Sequence, residues 1–195
     1  MDRSGREERP RPPVKRLGIF GGCFDPVHTG HLVFAECARE EFALEKVIFV
    51  PAGIPPHRPA PVASAGMRLE MVRLAVAGNP GFEVWDGETG TAGVSYSYDT
   101  VMRLKAARPG RELFFLAGHD AFVLLHEWRN ARELAAEVTF LVAAREGPGP
   151  GGPSIECRAE QVANPRIAIS GTMVRRRAAE GRSIRYLVPD AVADL

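Results

Sequence analysis

Gly18-Ile19-Phe20-Gly21-Gly22-Cys23-Phe24-Asp25-Pro26-Val27-His28-Thr29-Gly30-His31-Leu32 carries the reading of the whole chain. With Leu17, its first residues form a short apolar run, 17–20, that stops at two adjacent glycines. From His31 the pattern turns helical. A glycine pair lets the backbone approach a ligand with no Cβ in the way. The free amides of the helix start, with the helix dipole behind them, favour an anion. His28 and His31 stand three residues apart, on one side of a helical turn. Imidazole donors suit negative charge that develops near neutral pH. The stretch therefore predicts a strand, a phosphate-cradling turn and a helix. Taken alone, the histidine pair is equally well served by ordinary helix capping. A zinc pair would need further ligands that the sequence does not clearly supply.

Outward from this stretch, strands and helices alternate. Apolar runs predict strands at 46–50, 82–85, 112–117 and 138–143, and a last short one at 167–169. Continuous apolar runs of this kind mark buried parallel strands. Helical spacing covers 31–42, where Phe34, Ala38 and Phe42 share a face, then 64–78 with Ser64 as N-cap, and 98–107. A further helix is capped by Ser170 and ends near Gly181, and 188–195 predicts a final short one. The alternation implies an α/β fold, a Rossmann-like doubly wound parallel sheet covered on both faces, with a small C-terminal helical part. Ligands of such sheets sit at the carboxyl ends of the strands, near the topological switch point.

The length, 195 residues, fits one domain, and hydrophobic residues make up 45% and charged residues 25%. We read 1–16, charged and containing Pro10, Pro12 and Pro13, as a disordered extension, and 17–195 as the domain. Residues 147–153 are all glycine or proline and predict an irregular surface loop. A net charge of +1 and no basic stripe interleaved with aromatics argue against a nucleic-acid partner. No apolar run reaches bilayer length, and the N-terminus lacks the apolar core of a secretory signal, so no membrane partner is expected. Cys23, Cys37 and Cys157 are odd in number and widely spaced, which favours a reducing, cytoplasmic setting.

A second helix start offers related chemistry. In Ile169-Ser170-Gly171-Thr172-Met173-Val174-Arg175, two hydroxyls can donate to phosphate oxygens and Arg175 supplies a permanent, delocalised charge. Alone, this is a capped helix with an exposed basic run. Together, the two strings resemble the HxGH nucleotidyltransferase superfamily, through its HxGH and ISxTxxR motifs. The resemblance implies Phe20, Gly21, Gly22, Cys23, Phe24, Gly30, Ile169, Ser170 and Thr172 as ATP contacts. It implies His28, His31 and Arg175 as the catalytic groups, and Mg²⁺ bound mainly through ATP, with no metal ligands from the chain.

Three more stretches are similar to the bacterial nicotinate-nucleotide adenylyltransferase family. PAGIPPHR (51–58) resembles its PxxxPPHK loop, implying His57 and Arg58 as acceptor contacts. SYSYDT (95–100) resembles SYTxDT, implying Ser97. Gly118-His119-Asp120, followed by Trp128, resembles GxDxxxxxxxW. This implies Gly118 and Asp120 at the nucleotide and Trp128 at the pyridine ring. The close of the chain, Gly181, Ser183 and Tyr186-Leu187-Val188-Pro189, resembles GxSxxYLVP. Departures are Cys23 where threonine is common, Gly171 where serine is usual, and Arg129 where an aromatic can occur. The resemblance implies transfer of the adenylyl group of ATP to nicotinate mononucleotide, giving nicotinate adenine dinucleotide and pyrophosphate, in NAD biosynthesis. A homo-oligomer is compatible with it. The superfamily also holds enzymes for other acceptors, such as phosphopantetheine, and nicotinamide mononucleotide stays open as an alternative. A non-catalytic nucleotide-binding module is the alternative of a different class.

Overall fold

The computed structural model describes residues 15–55, 60–90, 93–144 and 152–195. Among these residues six strands, β1 (Lys15–Gly22), β2 (Lys46–Pro51), β3 (Phe82–Val84), β4 (Arg111–Ala117), β5 (Thr139–Ala143) and β6 (Arg158–Val162), form one sheet in the order β3-β2-β1-β4-β5-β6. All five pairings are parallel. This is the doubly wound order, with its reversal between β1 and β4. The described helices are α1 (Thr29–Glu41), α2 (Ala65–Val76), α3 (Ser97–Ala107), α4 (His119–Val123), α5 (Ala131–Glu137), α6 (Gly171–Ala179) and α7 (Asp190–Ala193). A 3-10 turn spans Leu125–Glu127.

Alternate strand residues feed two cores, as the strand period of two requires. Phe20, Val47, Phe49, Phe114, Leu116 and Leu141 join residues of α1, α2, α6 and α7 on one face. Leu17, Ile19, Ile48, Val50, Phe115 and Phe140 join α3, α4 and α5 on the other. Helix α1 buries Phe34, Ala35 and Ala38, and Ser64 caps α2 by accepting from the Met67 amide at 3.2 Å. The C-terminal helices belong to this same body: Val174, Val188 and Val192 are buried in the first core.

Three expectations change. The first strand starts at Lys15 and not at 17, because Lys15 and Arg16 pair with Arg111 and Glu112 of β4, and their side chains bond Glu45 and Glu112 at 3.0 Å. The last strand is Arg158–Val162, not 167–169. As an edge strand with four exposed residues it carries no apolar run, whereas 167–169 is a lead-in to α6. Helices α4 and α5 lie within 118–137, where helical periodicity is too short to read. The expectation for the glycine–proline loop falls mostly on 145–151, outside the described residues, as do the acceptor assignments His57 and Arg58.

Candidate active site

The switch point is physically open. Pairing of β1 with β4 ends at Ile19↔Phe115, although β1 runs on to Gly22 and β4 to Ala117. On its other side β1 stays paired to β2 through Gly22↔Pro51. The strand ends therefore part only between Gly21-Gly22 and Ala117-Gly118. A Cβ on Gly21 would press on Phe115 at 3.3 Å, so that glycine keeps the parting free of side chain.

The turn after β1 delivers the two imidazoles. Phe24 adopts φ 49 and turns its ring into the first core, edge-on to Phe20 at 5.4 Å and to His31 at 5.1 Å. His28 is the N-cap of α1, and its amide donates to His31 Nδ1 at 3.2 Å. The two rings stack with centroids 3.6 Å apart and planes 19° apart. His28 is buried, and its Nδ1 has no hydrogen-bond partner among the described residues. Gly30 leaves room there, since a Cβ would stand 3.2 Å from that nitrogen. Burial pushes the His28 pKa from 6.5 down to about 4. His31 lies well below its ordinary value, first through burial and then through repulsion from His28. Both rings are therefore neutral at pH 7, each able to offer one N–H donor.

The second motif closes on the first. Ser170 caps α6, its Oγ accepting from the Met173 amide at 3.2 Å, which leaves its proton to donate elsewhere. Arg175 Nη1 donates to the Asp25 carbonyl oxygen and stands 3.4 Å from Asp25 Oδ2, while Nη2 donates to Thr172 Oγ1 at 3.4 Å. The Asp25 carboxylate also accepts from the amides of Val62 (2.9 Å) and Ala63 (3.1 Å). Gly171 lies directly against this contact: a Cβ would stand 2.6 Å from the Asp25 carbonyl oxygen. Ile167 comes up beside Gly30. The two helix starts, more than a hundred residues apart in sequence, thus meet at Asp25.

On the other core's side, Gly118 caps α4, with Asp120 exposed in its first turn. Ser97 opens α3, next to its N-cap Tyr96. Trp128 ends the 3-10 turn and packs edge-on against Phe115 at 5.8 Å while staying partly exposed. The Arg129 guanidinium lies 4.5 Å over the Tyr96 ring, which draws the Trp128 and Ser97 segments together. Sequence reading left three residues unassigned: Asp25 as a latch, and the buried pair Arg68 and Glu88. Arg68 did leave a signal, for it shares the apolar face of α2 with Met71 and Val72.

Fold and site together define a nucleotide-handling enzyme of the doubly wound class. The profile of the Cytidylyltransferase-like family matches residues 19–177. A protein of Desulfitobacterium hafniense (strain Y51), described as a probable nicotinate-nucleotide adenylyltransferase, is 45% identical over 190 residues, 92% of each chain. One of the same description from Thermus thermophilus is 44% identical, covering 91% of this chain and 94% of its own. The chain therefore belongs to the cytidylyltransferase-like family and, within it, to the nicotinate-nucleotide adenylyltransferases. The fold is shared with the Plasmodium falciparum nicotinic acid mononucleotide adenylyltransferase complexed with NaAD, at a TM-score of 0.74 and 16% identity, over 92% of this chain and 93% of that one.

Proposed function

We propose that the enzyme joins ATP and nicotinate mononucleotide at the parting between β1 and β4, forming nicotinate adenine dinucleotide and pyrophosphate. An oxygen of the mononucleotide 5′-phosphate attacks the α-phosphorus of ATP. The new P–O bond forms as the bond from the α-phosphorus to the β-phosphate oxygen breaks, and pyrophosphate leaves with that electron pair. The observation that carries this reading is the Arg175–Asp25 contact, which brings the guanidinium of one motif to the turn that presents the imidazoles of the other.

Reactions of this type depend on positioning and charge stabilisation more than on covalent help from the protein. His28 and His31 donate to phosphate oxygens, and Arg175 with the Ser170 and Thr172 hydroxyls holds the triphosphate. The turn Phe20–Phe24 and Gly30 let the backbone close on it, and Gly118, Asp120 and Ile169 border the nucleotide. Ser97 and Trp128 face the acceptor's base, and His57 and Arg58 are proposed as further acceptor contacts. Mg²⁺ enters as part of the ATP substrate, its ligands being phosphate oxygens and water. Among the described residues no group of three or more His, Cys, Asp or Glu side chains is arranged to hold a metal. Three cysteines, none of them in a disulfide, fit a cytoplasmic setting.

The test is pyrophosphate release by the purified full chain with ATP and magnesium, given nicotinate mononucleotide, nicotinamide mononucleotide or phosphopantetheine in turn. Nicotinate mononucleotide should give the highest kcat/KM. A higher value with another acceptor overturns the assignment, and ATP binding without turnover on any of them overturns the catalytic reading.

A further inference from the structure

Arg68 is buried on α2, with 1% of its surface exposed. Its planar fork spans three segments of chain. Nη1 donates to the Cys23 carbonyl at 2.8 Å, Nη2 to the Gly53 carbonyl at 2.9 Å, and Nε to the Ala63 carbonyl at 3.3 Å. Cys23 belongs to the turn after β1, Gly53 to the segment after β2, and Ala63 to the lead-in to α2. Glu88 is buried too, at 7% exposure. Its carboxylate accepts from the Gly53 amide and from the Thr100 hydroxyl.

Gly53 is therefore gripped from both sides, its carbonyl by a buried cation and its amide by a buried carboxylate. It has no side chain to spare, because a Cβ would run into the Glu88 carbonyl oxygen. The preceding residue is tied down as well, the Ala52 amide donating to the Gly22 carbonyl at 2.9 Å. Desolvating two ionisable groups is costly unless their polar atoms are fully engaged. Here Arg68 is engaged by three backbone carbonyls, and Glu88 by the Thr100 hydroxyl together with the Gly53 amide.

We propose that Arg68 and Glu88 are positioning residues: together they lock the segment after β2 against the glycine turn, so that the acceptor's phosphate is presented to ATP at a fixed separation. Arg68 sets both sides of that separation, through Cys23 and Gly53, whereas Glu88 sets only the acceptor side. The inference rests on the reading that 51–58 contacts the acceptor. A lysine at 68 has a point charge in place of the fork and cannot span three carbonyls in one plane.

The experiment uses Arg68→Lys, Glu88→Met and Glu88→Gln in the full chain, with KM for each substrate, kcat and hydrogen–deuterium exchange of segment 51–55. Glu88→Met should raise the KM for nicotinate mononucleotide and lower kcat, each about tenfold, with the KM for ATP within about threefold. Glu88→Gln, which keeps an acceptor oxygen for the Gly53 amide, should restore most of that loss. Arg68→Lys should raise both KM values. Exchange in 51–55 should accelerate in Arg68→Lys and Glu88→Met, whatever acceptor the enzyme uses. A lowered Tm with unchanged KM values and unchanged exchange overturns the proposal. Should Arg68→Lys fail to fold, the two Glu88 variants decide it. A wild-type enzyme inactive on nicotinate mononucleotide sinks the functional reading but leaves the exchange result to judge the lock.

Discussion

The His28 and His31 rings lie face to face, 3.6 Å between centroids, with the His28 amide bonded to His31 Nδ1. That bond uses His31 Nδ1 as an acceptor, so the His31 proton sits on Nε2, away from its own helix. His31→Ala should fold, because the phenylalanine box around it persists, and should lose about two to three orders of magnitude in kcat. A variant with most of its turnover intact would remove His31 from transition-state stabilisation.

Acid should weaken the fold through the same pair. Unfolded imidazoles take up protons near 6.5, while folded His28 resists until about 4 and His31 lies well below its ordinary value. Their contribution is thus complete above pH 6.5, declines as pH falls from 6.5 towards 4, and is gone below the folded values. Between pH 7 and pH 5 the wild type should lose about 5 °C more in Tm than a His28→Asn variant. Parallel Tm profiles for the two proteins would show that His28 is not held neutral.

At position 171 this chain has glycine where the motif it resembles has serine, and a serine there should harm the enzyme. The added Cβ meets the Asp25 carbonyl at 2.6 Å, and that carbonyl is backbone. We expect Gly171→Ser to raise the KM for ATP about tenfold, with a smaller effect on the acceptor. Steady-state kinetics giving an equal or lower KM for ATP would show that the helix start accommodates a side chain.

Arg129 places a cation beside Trp128, over the Tyr96 ring. Nicotinate and nicotinamide mononucleotides differ by a carboxylate charge at the ring that Trp128 is proposed to face. Arg129→Met should lower the ratio of kcat/KM for the nicotinate over the nicotinamide substrate by about threefold, the size of one exposed ionic contact. An unchanged ratio would assign the discrimination elsewhere.

The glycine turn, both helix starts and strands β2 to β5 were readable because each is a local signal. A buried parallel strand shows as an apolar run, and a cap shows within four residues. Strand β6, Arg-Ala-Glu-Gln-Val, was not readable, since an edge strand needs little apolar side chain and its identity comes from pairing with β5. Asp25 was visible inside the first motif, but its partner is 150 positions away, at Arg175. Arg68 showed only in its place on the apolar face of α2, and its partners were hidden, because they are backbone carbonyls, which carry no residue signature. Glu88 takes the Thr100 hydroxyl, a partner that no local pattern marks.

The sheet also divides the labour of the pocket. The imidazoles and the α6 start are anchored in the core that contains Phe20, Phe34 and Val174, whereas Trp128 and Tyr98 lean on the opposite one around Phe115 and Phe140. Substitutions around Trp128 therefore act on a different core from the one that holds the imidazoles and the α6 start, and should leave the packing of those groups intact.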